Sequence, residues 1–134
     1  MKVSRETFDA LSLSNIDIYL RQSDTAAADL GGTLPLVIGR MGHAARLRAP
    51  EQPLPSARAR GGRIHVDCAS LGPQALELAV AAFGADKIVI GTDCPIFRAD
   101  WTLEAVRKAR ISDEDRRAIL RENAKKLLYH LRTN

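Results

Sequence analysis

Aromatic side chains are scarce in this 134-residue chain: three phenylalanines, two tyrosines and one tryptophan. Core packing must therefore come mainly from aliphatic residues and alanine. Cysteine is scarcer still. Cys68 and Cys94 are too few for a disulfide framework and too far apart for a CxxC motif, so free thiols in a reducing compartment are expected. No apolar run approaches the roughly 18 to 20 residues that a membrane-spanning helix needs. The start, Met1 to Ala10, is charged and lacks the apolar stretch of a signal peptide, which gives a cytoplasmic expectation with no membrane partner. What is present is ordinary globular composition, 46% hydrophobic and 27% charged, enough for a single domain over residues 1–134.

The net charge of +4 is unevenly spread. Residues 40–63 hold six arginines against one glutamate, and residues 104–134 hold nine Lys/Arg against five Asp/Glu. Neither cluster interleaves aromatics with basic residues, and no recognition-helix, RNP or zinc-finger pattern occurs, so solvated surface charge is expected rather than a nucleic-acid site.

Local signals strengthen toward the C-terminus. Arg63-Ile-His-Val-Asp-Cys68 and Lys87-Ile-Val-Ile-Gly91 read as short strands, the second of the type buried on both faces. Between them Pro73 suits a helix start. Leu76, Ala79, Val80 and Phe83 recur at helical spacing, and Gly84 is placed to close the helix. The sum is a parallel β-α-β unit of an α/β fold. Ser112, followed by Asp113, Glu114 and Asp115, caps a long C-terminal helix whose apolar stripe is Ile119, Leu120, Ala124, Leu127, Leu128 and Leu131. Residues 101–109 read as a shorter helix, and Leu34 to Gly42 as a helix or an extended apolar segment. Residues 46–62, rich in Arg, Ala and Pro, read as a surface loop. Residues 1–25 remain unassigned, although Asn15 to Leu20 alternates well enough for a strand.

The strongest chemical signal is Gly91-Thr92-Asp93-Cys94-Pro95, just past the second strand. Ligands of parallel α/β folds sit beyond the carboxyl ends of the strands. A carboxylate emerging there, between glycine and proline, is placed to ligate a metal or take a proton; the alternative is an aspartate that caps the next turn. His65 and Asp67 alternate on one strand face, so with Asp93 they are a candidate metal site, against an ordinary strand histidine and a turn-capping aspartate.

Four stretches carry a family resemblance: Leu30-Gly-Gly-Thr-Leu-Pro-Leu-Val-Ile-Gly-Arg40; Ile64-His-Val-Asp-Cys-Ala-Ser70 with Gly72-Pro-Gln-Ala-Leu76; Phe83-Gly-Ala-Asp-Lys-Ile-Val-Ile-Gly-Thr-Asp-Cys-Pro95; and Ile119-Leu-Arg-Glu-Asn-Ala-Lys-Lys-Leu-Leu128. Over residues 29–130 the chain resembles the amidohydrolase-related metal-dependent hydrolases and decarboxylases. That resemblance implies a (β/α)8 barrel with a divalent metal, zinc or manganese, at its C-terminal mouth. It gives Asp93 the role of the aspartate after the last barrel strand, as metal ligand or base. Asp29 stands where the family opens its glycine motif with a metal-binding histidine, and it is the candidate substitute. A whole barrel of this kind takes about 250 residues, so the expectation is a truncated, partial (β/α)8 barrel whose strand edges are covered by homo-oligomerisation or by the N-terminal segment, the alternative being an unstable, aggregation-prone chain. The resemblance implies a metal-dependent hydrolase or decarboxylase of a small carboxylated or cyclic substrate. The alternative is an inactive half-barrel serving as an oligomeric or partner-binding module.

Overall fold

In a computed structural model, which describes residues 26–27, 29–62, 64–69 and 71–133, three short parallel strands carry the fold and helices fill the connections between them. The strands are β1 (Ala26–Ala27), β2 (His65–Asp67) and β3 (Ile88–Val89), in the spatial order of the sequence. Their register pairs Ala26 with His65 and Ala27 with Val66, then Val66 with Ile88 and Asp67 with Val89. The parallel β-α-β expectation is met. Parallel neighbours cannot be joined by a tight hairpin, so each connection is a crossover.

The first crossover holds two helices, α1 (Leu34–Arg48) and α2 (Pro55–Gly61). Of the two readings for residues 34–42, the helix is the observed one. The loop expected over residues 46–62 needs correction: residues 46–48 finish α1, and α2 fills most of the remainder. Proline misled as a loop cue because Pro55 sits in the first turn of α2, where its missing N–H costs nothing. Arginine misled because Arg60 reaches across to the Ala81 carbonyl while Ala59, on the same short helix, is buried.

The second crossover is α3 (Pro73–Phe83), with Pro73 in its first turn. The Gly84 N–H closes it on the Val80 carbonyl at 2.9 Å, and φ of +92° there suits glycine. Its inner face, Leu76, Ala79, Ala82 and Phe83, is buried against Leu30, Val66 and Ile88 in one hydrophobic cluster. After β3 come α4 (Ala99–Lys108) and α5 (Asp113–Arg117), whose Ser112 cap accepts from the Asp115 N–H at 3.0 Å. A π turn (Ala118–Glu122) follows, and α6 (Asn123–Thr133) completes the long C-terminal helix.

The expected apolar stripe of that helix is only partly buried. Ile119 is in the core, but Leu128 is 61% exposed. Five residues in the π turn rotate the following face away from the phase of an unbroken α-helix. Asn123, a polar residue, occupies the inward position instead: its amide donates to the Ala85 and Ile88 carbonyls, both at 2.7 Å, and ties the helix to the start of β3.

The strand reading for Asn15 to Leu20 lies outside the described residues. No helix among the described residues is long and apolar enough to cross a membrane.

Candidate functional site

Because all three strands run the same way, their carboxyl ends open on one end of the sheet, and each end carries an aspartate. Asp29 begins the single turn Asp29–Gly31 past β1. Asp67 is the last residue of β2, and Asp93 stands four residues beyond Val89, the end of β3. Of the Asp29 side chain nothing is described. His65 is placed at the other end of β2, opposite Ala26. Among the described residues no group of three or more His, Cys, Asp and Glu side chains comes together in a way that could hold a metal.

Asp93 is exposed and adopts φ of +52°, a left-handed conformation that is uncommon outside glycine. Its carbonyl accepts from the Ile96 N–H at 2.9 Å and from the Phe97 N–H at 3.2 Å, and the Cys94 N–H donates to Thr92 Oγ1 at 3.3 Å. The backbone of Asp93 is thus committed to a turn, and no bond from another described residue to its carboxylate accompanies it. Past the same strand ends, apolar side chains are left in solvent: Leu71 after β2, and Ile96, Phe97 and Trp101 after β3, with Ile96 74% and Trp101 53% exposed.

Asp67 differs from Asp93 in being half-buried. Its Oδ1 accepts from the Ala69 N–H at 2.9 Å, and its side chain lies against the bare α-carbon of Gly91. Residue spacing placed Asp67 on a strand face but gave no sign of this contact, which arises only when β2 and β3 pair. Next to it, Cys68 is buried, and its backbone N–H donates to the Val89 carbonyl at 3.0 Å. Burial pushes the Cys68 thiol above its ordinary pKa; a backbone hydrogen bond at Gly91 opposes the rise and the Asp67 charge adds to it. Cys68 is thus a neutral, inert thiol at ordinary pH.

Helices packed between parallel strands, with carboxylates at the strands' carboxyl ends, define an α/β protein of the kind that binds its ligands at that end. The chain belongs to the amidohydrolase family, whose family model, described as Amidohydrolase, matches residues 22–129. No curated protein matches it. Among solved structures, it is similar to 2,6-dihydroxybenzoate decarboxylase complexed with 2,6-dihydroxybenzoate, at 25% identity and a TM-score of 0.64, over 78% of this chain and 34% of that one. A dihydroxybenzoic acid decarboxylase from Polaromonas with bound manganese is 23% identical, with a TM-score of 0.66 over 78% of this chain and 33% of that one. A putative amidohydrolase from Staphylococcus aureus is 21% identical, with a TM-score of 0.65 over 78% and 34%. The chain spans about a third of the length of these structures.

Proposed function

We propose that this chain forms a three-stranded sector of an amidohydrolase-family (β/α)8 barrel, acting on a small carboxylated or cyclic substrate, with Asp93 as its proton-moving carboxylate. The observation that carries this reading is Asp93 itself: an exposed carboxylate at the carboxyl end of β3, on a backbone fixed by the Ile96 and Phe97 N–H groups. Decarboxylation of an aromatic acid is the leading chemistry, in keeping with the decarboxylase relatives. In that reaction Asp93, first protonated from solvent, delivers its proton to the ring carbon bearing the carboxylate; the carbon–carbon bond then breaks, its electron pair restores the aromatic ring and carbon dioxide leaves. Hydrolysis is the second: Asp93 takes a proton from water as the water attacks a lactone, ester or amide carbonyl, and returns it to the leaving oxygen or nitrogen as the acyl bond to that atom breaks.

The divalent metal implied by the family, and bound as manganese in the Polaromonas relative, needs at least three or four protein or water donors. The described residues supply separate carboxylates and no group of three. They do not make up a metal centre by themselves. The outer sides of β1 and β3 are without a strand partner among the described residues, which supports further strands, from a second copy or from more barrel, lying against them.

The test is turnover by the purified chain across a panel of hydroxybenzoic acids and lactones, with and without added manganese or zinc. Asp93→Asn is expected to lower the rate about 100-fold or more, the usual range for loss of a proton-transfer group, without changing the circular dichroism spectrum. A silent Asp93→Asn, or no turnover on any panel member, contradicts the proposal.

A further inference from the structure

Asp67 and Asp93 stand at the ends of neighbouring strands, yet they are built differently. The backbone between them explains why. Asp67 pairs with Val89, the last residue of β3, and two residues beyond that strand end comes Gly91. A β-carbon placed on Gly91 would lie 2.7 Å from the Asp67 β-carbon, 2.9 Å from its Cγ and 3.2 Å from Oδ1. No side chain fits there, so the Asp67 side chain lies directly on the Gly91 backbone. It is itself held by the Ala69 N–H on Oδ1, so it is anchored to the end of its own strand while it rests on the next one.

The Asp93 carbonyl is fixed from the other side, by the Ile96 and Phe97 N–H groups. Only Thr92 separates these two supports. The left-handed φ of Asp93 falls between them, a conformation that an aspartate keeps only when its flanks hold it. From this juxtaposition we infer that Asp67 is a positioning residue: resting on Gly91, it fixes the Gly91-Thr92-Asp93 segment and with it the direction in which the Asp93 carboxylate leaves the sheet. The inference rests on the role proposed for Asp93. It adds that the second aspartate acts through its shape and its hydrogen bonding, the Ala69 N–H among its partners, with neither proton transfer nor contact with substrate.

The experiment uses the full chain and four variants, Asp67→Ala, Asp67→Asn, Gly91→Ala and Asp93→Asn. It reads kcat and KM on the best acid of the panel and the amide chemical shifts of Thr92, Asp93 and Cys94. Asp67→Ala is expected to lower kcat roughly 10- to 100-fold with KM changed by no more than about twofold, as displacement of a reacting group does, and to move all three amide shifts. Asp67→Asn keeps the acceptor and the shape and is expected to recover most of the rate and the original shifts. Gly91→Ala, which displaces the segment while keeping both carboxylates, gives the same loss and covers the case in which Asp67→Ala does not fold. Equal losses in Asp67→Asn and Asp67→Ala would overturn the inference, since the charge itself would then be used. Wild-type kcat and amide shifts in Asp67→Ala would overturn it as well. If Asp93→Asn is silent while the amide shifts respond as described, the proposed function fails and the support of the segment by Asp67 stands.

Discussion

Asp93 combines a left-handed backbone, φ of +52°, with an exposed carboxylate to which no described residue donates a hydrogen bond. Its signal in the sequence was local: a glycine two residues before it and a proline two after it, at the end of an apolar run, are visible without a structure. The support of its segment was not visible. Asp67 is 24 positions upstream of Gly91 in the numbering, and only strand pairing brings the two together. Thr102 illustrates a different single-residue effect. It is buried in α4, and its hydroxyl has no hydrogen-bond partner among the described residues. Thr102→Val, which keeps the branched shape and removes the orphaned hydroxyl, is expected to raise stability by about 1 kcal/mol in urea unfolding; a loss of stability would show that the hydroxyl is satisfied in solution.

At the level of elements, β2, α3 and β3 could be read from the sequence because their cues are short-range: β-branched runs, a proline in the first helical turn and a glycine after the last. The Ser112 cap was legible for the same reason, and it holds the Asp115 N–H as expected. The π turn was not, since its counterpart is the pair of carbonyls at Ala85 and Ile88, which lie 38 and 35 residues from Asn123. Nor was the clamp between α3 and the segment that follows α4. There Glu77 accepts from the Arg110 backbone N–H at 2.8 Å and from its Nε at 3.2 Å. These bonds, the backbone one foremost, hold the Glu77 carboxyl below its ordinary pKa. A carboxyl depressed in the folded state stabilises above its unfolded pKa, and the contribution disappears as pH falls through the folded value. Glu77→Gln is therefore expected to lower Tm at pH 7, with the difference from wild type shrinking as the solution is acidified below the glutamate range. A difference independent of pH would mean that the charge on Glu77 contributes nothing to the clamp.

For the molecule as a whole, the parallel sheet decides where function is sought. Three strands of one direction gather Asp29, Asp67 and Asp93 at one end. The amino ends lie on the opposite side, where Lys87 Nζ donates to the Gly62 carbonyl at 2.7 Å and Asn123 closes the turn into β3. One end is thus tied by hydrogen bonds, while past the other stand an exposed carboxylate and exposed apolar side chains. The division matches that of parallel barrels, in which the face at the strands' amino ends serves stability and the opposite face carries chemistry. The most direct test is titration of the isotope-labelled chain with 2,6-dihydroxybenzoate, followed by amide chemical shifts. The largest changes are expected from Thr92 to Phe97 and at Leu71, with Ala57 to Gly61 in α2 unmoved. Changes centred on α2 or on the Gly62–Lys87 side, or none at millimolar ligand, would contradict the placement of the site at the carboxyl ends of the strands.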